Sequence, residues 1–292
     1  MNSFLRALGF SKYKTKQSMR DIIAAASIYP ETMDYINGED GKIYEFTHFY
    51  GNSFGIKFYG TEADYDYEID SFIPFVEGSD YFIPQDLCIE KRYMDFSFIA
   101  SCEDLRVGVS IIFHLINPID YVNIIYGEKV IQKYLVAFSA LSFSGTILLP
   151  ITQSPGDAKR RQENVNRRAR LIAAARMGDE SAIESLTFED MDTYAKLSKR
   201  IRSEDVFTIV ESSFIPYGLE SDLYTIIADI DKVDEVKNSL TGESVYILKL
   251  NYNGLIITTA INKTDIVGEP LPGRRFKGII WLQGKIKTVS AD

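Results

Sequence analysis

The sequence predicts an α+β protein with a mixed N-terminal α+β domain built on antiparallel hairpins, a helical connector and a small C-terminal β-barrel, OB-like or SH3-like. Three observations support this class. The chain has 18 Tyr and 18 Phe in 292 residues, and aromatic side chains favour strands. Ser154 and Pro155 mark a helix start, and turn residues separate the short apolar runs near the end of the chain. The predicted parts are residues 1–152, 153–215 and 216–292.

In the predicted N-terminal domain, apolar residues recur at helical spacing over residues 16–29, which indicates a helix that ends at Pro30. Strands over 43–50 and 54–60 flank a short Gly/Asn loop, which is typical of a hairpin. Its register places His48 opposite Ile56, and we expect His48 to be a core histidine.

A second hairpin is predicted from strands over 93–102 and 107–115. Pairing these two strands across their short loop places Asp95 opposite His114, with Ser97 on the same face. A carboxylate beside an imidazole can orient a general base, so Asp95 and His114 are the candidate catalytic residues. The alternative is that these polar residues form the solvent face of an antiparallel hairpin.

The predicted connector consists of four helical segments. The first runs from Pro155 and ends at Gly178, a residue typical of helix C-termini. Further segments are predicted over 179–186, from Thr187 to about residue 202, and from residue 203 to before Pro216. The first helix is rich in arginine and lysine. It is expected to be solvated or to dock on the acidic first domain, and the alternative is that it contacts phosphates.

The predicted barrel has strands over 223–233, 245–252, 255–262 and 275–287. Asn253-Gly254 is the strongest turn signal in the chain and predicts a two-residue type I′ hairpin. The last strand lies in a segment without acids that combines basic and aromatic side chains, as a single-strand-binding face requires. The alternative is that its aromatic residues are core and its cations a solubilising rim. The candidate ligand-binding residues are Arg274, Arg275, Phe276, Lys277 and Trp281.

Composition excludes several kinds of site. The net charge is −9, and residues 1–150 carry 12 Lys and Arg against 20 Asp and Glu, which argues against a dedicated nucleic-acid binder. Two cysteines, Cys88 and Cys102, and two histidines are too few for a disulfide scaffold or a His-rich metal site. The acidic run from Asp64 to Asp70 lacks the glycine and glutamate of a calcium-binding loop and is expected to be a charged strand edge. No metal or cofactor is therefore predicted.

Neither a signal peptide nor an apolar run of membrane-span length is present, so a cytoplasmic location is expected. Glycine-rich phosphate-binding motifs are also absent. We expect no membrane contact and no nucleotide-dependent chemistry.

Several long strings of the sequence carry a family resemblance. They are LRALGFSKYK, RMGDESAIESLTFEDMDTYAKLSKRI, FIPYGLESDLY, NSLTGE and GRRFKGIIWLQG. The chain resembles an uncharacterised family of about 290-residue proteins from clostridia and their relatives (Firmicutes), classed as a domain of unknown function. The resemblance implies a bacterial, cytosolic origin and attaches no activity, cofactor or catalytic residue.

The leading functional hypothesis is a non-enzymatic cytosolic binding or interaction protein, with a protein partner or a second copy of the chain as the expected partner. Two alternatives remain. One is an enzyme whose site forms between the domains, with Asp95 and His114 as its candidate residues. The other is single-stranded nucleic-acid binding by the C-terminal barrel.

Overall fold

A computed structural model describes residues 4–13, 15, 20, 22, 30–38, 41–63, 67–92, 96–127, 131–150, 157–200, 212–218 and 222–290. The helices in this part of the chain are α1 (Phe4–Ala7), α2 (Pro118–Tyr126), α3 (Asp157–Arg176) and α4 (Glu180–Arg200), with a 3-10 turn at Lys263–Asp265. The strands are β1 (Thr32–Gly38), β2 (Gly41–Phe49), β3 (Phe54–Glu62), β4 (Tyr67–Val76), β5 (Tyr81–Phe82), β6 (Gln85–Lys91), β7 (Phe98–Glu103), β8 (Ser110–Leu115), β9 (Ile131–Leu148), β10 (Ser213–Pro216), β11 (Leu223–Lys237), β12 (Ser244–Tyr252), β13 (Leu255–Asn262), β14 (Ile266–Val267) and β15 (Arg275–Ser290).

The protein is mostly β, so the predicted α+β class with its helical connector is wrong. The main reason lies in three long strands: β9, β11 and β15 have 18, 15 and 16 residues. Two short apolar segments predicted over 130–150 are one continuous strand, β9, which pairs with β15 along its whole length, from Leu148 opposite Arg275 to Ile131 opposite Ser290. Long paired strands give a large sheet instead of a small terminal one.

The strands form two sheets. Strands β1 to β4 make an antiparallel four-stranded sheet in chain order, and the other strands make an eleven-stranded sheet. Within the large sheet, β11 pairs with β12, β12 with β13, β13 with β9, β9 with β15, and β15 returns to β11. The predicted small terminal barrel is therefore wrong. The C-terminal strands form a closed ring only together with β9, which comes from the predicted N-terminal domain. The division into three parts stays a prediction.

Several local predictions are confirmed. His48 lies opposite Ile56 in the first hairpin. Asn253 and Gly254 connect β12 and β13 with φ of 52° and 87°, as a type I′ turn requires at both positions. The first connector helix is α3, which ends just before Gly178. The helix predicted over 16–29 lies almost entirely outside the described residues.

Helix α4 is longer than predicted, because a helix start was expected at Thr187 and α4 continues through that position. The hydroxyl of Thr187 donates to the carbonyl oxygen of Ile183 at 2.8 Å. A threonine can satisfy its hydroxyl in this way inside a helix, so it is not evidence of an N-cap by itself.

Two hydrophobic clusters stabilise the fold. One lies inside the large sheet around Phe113, Phe138 and Phe276. The other joins the four-stranded sheet, the large sheet and residues 4–13, and it includes both Phe54 and Trp281. No helix in the described part of the chain has the length and apolar character needed to cross a membrane.

Candidate functional site

Residues 4–13, here called segment 4–13, lie between the two sheets. The segment begins with the single turn α1. The amides of Leu8 and Phe10 donate to the carbonyl oxygen of Leu5 at 3.1 and 3.2 Å, which folds the segment back on itself. Leu5, Ala7, Leu8 and Phe10 are all buried in the second hydrophobic cluster. The segment thus contributes four core side chains, and their burial stabilises its packing against the rest of the protein.

Gly9 is required by the path of segment 4–13. Its φ is +85°, a left-handed conformation that glycine adopts readily and other residues do not. A Cβ atom at this position would lie 3.2 Å from the Cβ atoms of Asn238 and Glu243 and 3.3 Å from Cγ2 of Val245. A side chain at residue 9 would therefore be crowded by the turn after β11 and by the start of β12.

Side chains of the turn between β11 and β12 bind the main chain of the segment. Asn238 Nδ2 donates to the carbonyl oxygen of Leu8 at 2.8 Å, and Thr241 Oγ1 donates to that of Gly9 at 2.7 Å. Asn238 is itself fixed, because its Oδ1 accepts the amides of Leu240 and Thr241 at 2.9 Å. Polar side chains that are already ordered lose little entropy when they bind a peptide backbone.

A third main-chain contact comes from Asn262, whose Nδ2 donates to the carbonyl oxygen of Arg6 at 3.2 Å. The Oδ1 atom of Asn262 accepts the amide of Thr264 at 3.0 Å, so this side chain also caps the 3-10 turn. Three carbonyl groups of segment 4–13 are therefore bound by side chains, and not by a β-ladder.

Two carboxylates bind side chains of the segment. Arg6 forms a two-point ion pair with Asp265, from Nε to Oδ2 at 2.6 Å and from Nη2 to Oδ1 at 2.5 Å. These hydrogen bonds raise the pKa of the Arg6 guanidinium above its usual value. Glu243 accepts Ser11 Oγ at 2.7 Å and Asn262 Nδ2 at 2.7 Å. We call the five residues that bind the segment the host residues: Asn238, Thr241, Glu243, Asn262 and Asp265.

An aromatic stack continues the site. Phe4 of segment 4–13 stacks on Trp281, with ring centroids 4.5 Å apart and planes inclined by 24°. Trp281 Nε1 donates to Asp222 Oδ2 at 2.9 Å, a hydrogen bond buried from solvent. The ring of His114 also contacts Trp281, with ring centroids 5.0 Å apart. Trp281 is only 8% exposed, so this ring is part of the core and not an open stacking surface.

His114 is 5% exposed, and neither of its ring nitrogens has a hydrogen-bond partner among the described residues. Its pKa is lowered to about 4, chiefly by burial; the charge of Asp222 opposes this shift and that of Arg92 adds to it. The imidazole is therefore neutral at physiological pH, which suits its apolar contact with Trp281.

We expect the free energy of unfolding to fall as the pH drops from about 6.5 towards 4. The unfolded chain takes up a proton at His114 near pH 6.5, whereas the folded chain does so near pH 4, so acid favours the unfolded state by about 3 kcal/mol in total. Urea unfolding at several pH values measures this. His114→Phe should lose this part of the pH dependence, and an unchanged profile in that variant would contradict the expected neutral His114.

The predicted site residues occupy different places. Asp95 lies outside the described residues. The predicted register is wrong, because Ile99 and not Asp95 lies opposite His114; β7 begins only at Phe98, and its loop to β8 is longer than expected. His114 is buried, not part of a solvent face.

The other predicted candidates are spread along β15 and the turn before it. Arg274 donates to the carbonyl oxygen of Glu269 at 2.7 Å, and Arg275 is buried and donates to that of Leu149 at 3.0 and 3.1 Å. Phe276 lies fully buried in the first cluster, and Lys277 is half-buried. Only Trp281 and His114, which were predicted for different sites, are brought together.

Sequence reasoning missed the host residues. Asn238 to Glu243 were predicted to be a polar turn, Asn262 the last residue of a strand, and Asp265 part of the connection that follows it. Their role depends on partners more than 200 residues away in the sequence, a distance at which no periodic pattern carries information. One signal of these residues was present in the sequence, because LRALGFSKYK and NSLTGE both carry the family resemblance. The first string contains most of segment 4–13, and the second contains three of the host residues.

Comparison with known proteins gives one match. The family model DUF3881, described as a domain of unknown function with an E. rectale gene description, matches residues 5–284. No curated protein and no solved structure matches the chain. The match confirms the resemblance to an uncharacterised clostridial family. Because it spans nearly the whole sequence, including most of segment 4–13 and all the host residues, the chain belongs to the DUF3881 family.

Proposed function

We propose that the chain is a non-enzymatic binding protein that recognises a peptide, and that its own segment 4–13 occupies the binding site. One observation carries this proposal: host side chains bind three main-chain carbonyl groups of the segment, those of Arg6, Leu8 and Gly9. Buried carbonyl groups need hydrogen-bond partners, and here side chains that are already ordered by their own hydrogen bonds supply them, as in a site that is formed before a peptide binds.

The chemistry of the site defines its guest. The two-point pair with Asp265 requires an arginine, because lysine cannot donate two parallel hydrogen bonds to one carboxylate. The close approach to Asn238 and Val245 requires a glycine three residues later. Aliphatic residues and a phenylalanine fill the cluster between the sheets. The guest is therefore a peptide with an arginine followed by apolar residues and a glycine.

We place this function in the cytoplasm. Both cysteines are free thiols, and Cys88 is exposed. Free exposed thiols persist in a reducing compartment, where disulfides are rare.

A peptide-exchange experiment tests the proposal. The guest is a fluorescently labelled synthetic peptide of residues 2–13, and the host is the full chain with Arg6→Ala and Ser11→Ala, which weakens its own segment without opening a core cavity. We expect the peptide to bind the variant at least about tenfold more tightly than the wild type, because the intact segment competes at a high effective concentration. Fluorescence anisotropy measures the binding.

The control host is Arg274→Ala, which removes a half-buried arginine outside the site and should bind the peptide as the wild type does. The control guest carries Gly9→Val and should not bind. Circular dichroism checks that each host is folded, and Arg6→Ala alone serves if the double variant is not. Equal binding of both peptides, or no binding to any folded host, would show that the segment is only a structural part of the fold.

A further inference from the structure

The contacts of segment 4–13 join it to residues that are far away in the sequence. The hydrogen bonds between its three carbonyl groups and the host side chains span 230, 232 and 256 residues, and the ion pair of Arg6 with Asp265 spans 259. Among the described residues, no strand pairs with the segment, so it can leave without breaking a β-ladder. The host residues therefore offer the same contacts to the segment of a second copy of the chain.

Segment 4–13 and the host residues are complementary in charge and shape. The segment carries two cations, Arg6 and Lys12, and no acid, whereas the host residues carry the carboxylates of Glu243 and Asp265 and no cation. Gly9 fits at a place where a Cβ atom would be crowded. Charge complementarity of this kind selects a partner. A second copy carries the identical segment, so a guest that meets every requirement of the site is present at the concentration of the protein itself.

A segment that leaves its own site exposes apolar surface on both sides of the contact. Leu5, Leu8 and Phe10 are almost completely buried when the segment is bound, and they pack in the same cluster as Trp281. Burial of one large apolar side chain stabilises by about 1.5–3 kcal/mol, so the free segment and the empty host both favour a new partner. Reciprocal exchange between two copies restores these contacts in each of them, which is why the exchange of identical elements costs little free energy.

We propose that the partner of the peptide site is a second copy of this chain: segment 4–13 of each copy binds the host residues of the other, and the two copies form a dimer by reciprocal exchange. This inference rests on the proposed peptide binding and names the partner of that site. The segment of the same chain competes with the exchange at a high effective concentration. The fraction of dimer therefore rises with protein concentration and with any weakening of the contact within one chain.

Mixing two full-length variants tests the exchange in one direction. The acceptor is Arg6→Ala with Ser11→Ala, which has intact host residues and a weakened segment. The donor is Asn238→Ala with Asp265→Ala, which has an intact segment and a weakened host. We expect each variant alone to sediment as a monomer at ~20 μM and the mixture to contain a heterodimer. Its dissociation constant should lie within about tenfold of that of the labelled peptide of residues 2–13 for the same acceptor, because the same contacts form.

Two glycine substitutions in the donor provide the control. Gly9→Val spoils the segment and should raise the dissociation constant of the heterodimer at least about tenfold, because the added side chain is crowded by the host. Gly254→Val is the matched control, since Gly254 has a similar φ of +87° but no atom within 4 Å of the position of its Cβ; it should leave the heterodimer unchanged. Circular dichroism checks that each variant is folded, and Asp265→Ala alone serves as the donor if the double variant is not.

The outcomes separate this inference from the proposed function. If the labelled peptide binds the acceptor but the mixed variants stay monomeric, a second copy is not the partner, and peptide binding stands. If neither the peptide nor the donor binds the acceptor, both proposals are wrong. A heterodimer that forms equally well with the Gly9→Val donor would place the contact elsewhere on the protein and overturn the exchange of segment 4–13.

Discussion

Gly9→Ala is expected to destabilise the protein by about 3 kcal/mol. Left-handed backbone at a non-glycine residue costs roughly 1–2 kcal/mol, and the added methyl group meets Asn238, Glu243 and Val245 at 3.2 to 3.3 Å, an overpacking that costs a further 1–3 kcal/mol, approximately. Urea unfolding measures the total.

Trp281 gives a direct optical signal for this variant. It is the only tryptophan of the chain, and Phe4 of segment 4–13 stacks on it. If the methyl group displaces the segment, Trp281 contacts water and its fluorescence emission shifts to longer wavelength before the protein as a whole unfolds.

The control for Gly9→Ala is Gly254→Ala. Gly254 has nearly the same backbone conformation, with φ of +87°, but no atom lies within 4 Å of the position of its Cβ. Gly254→Ala should therefore lower the free energy of unfolding only by the cost of the left-handed backbone, roughly 1–2 kcal/mol. The emission of Trp281 should not change. Equal losses in both variants would mean that the methyl group at residue 9 is accommodated without overpacking against Asn238, Glu243 and Val245.

Lys57→Met is expected to destabilise the protein by roughly 3–5 kcal/mol, because it leaves the carboxylate of Glu45 buried without a counter-charge. Lys57 Nζ lies 2.5 Å from Glu45 Oε1, and the two side chains are only 14% and 5% exposed. Thr47 Oγ1 also donates to the same oxygen, at 3.4 Å, but a neutral hydroxyl cannot replace the charge. Thermal or urea unfolding measures the loss.

Two further variants separate the buried charge from other effects of Lys57→Met. The double variant Glu45→Gln with Lys57→Met removes both charges and should recover most of the lost stability. Lys232→Met breaks the exposed pair with Asp234 and should change stability by less than about 1 kcal/mol. A double variant as unstable as Lys57→Met would show that the methionine, and not the unpaired Glu45, is responsible.

The two substitutions act on different parts of the fold. Lys57 and Glu45 belong to neighbouring strands of one sheet, so their pair maintains that sheet. Gly9 belongs to a segment that no β-ladder connects to the sheets. Its loss is therefore expected to release segment 4–13 locally, whereas Lys57→Met is expected to unfold the four-stranded sheet as a unit.

Local features of the chain were predictable because their causes are local. The turn at Asn253-Gly254 follows from the positive φ that both residues tolerate. The register of His48 opposite Ile56 follows from the length of the loop between β2 and β3. The end of α3 before Gly178 follows from the glycine at the helix C-terminus.

The sequence by itself therefore determined the first hairpin, the turn at Asn253-Gly254, the end of α3 and the family. Only the tertiary structure decided that β9 enters the ring between β13 and β15, that His114 meets Trp281, and that Asn238, Asn262 and Asp265 bind segment 4–13. The physical reason is that strand partners and buried polar contacts between distant residues are selected by the combined burial of many side chains, and no short stretch of the chain contains that information.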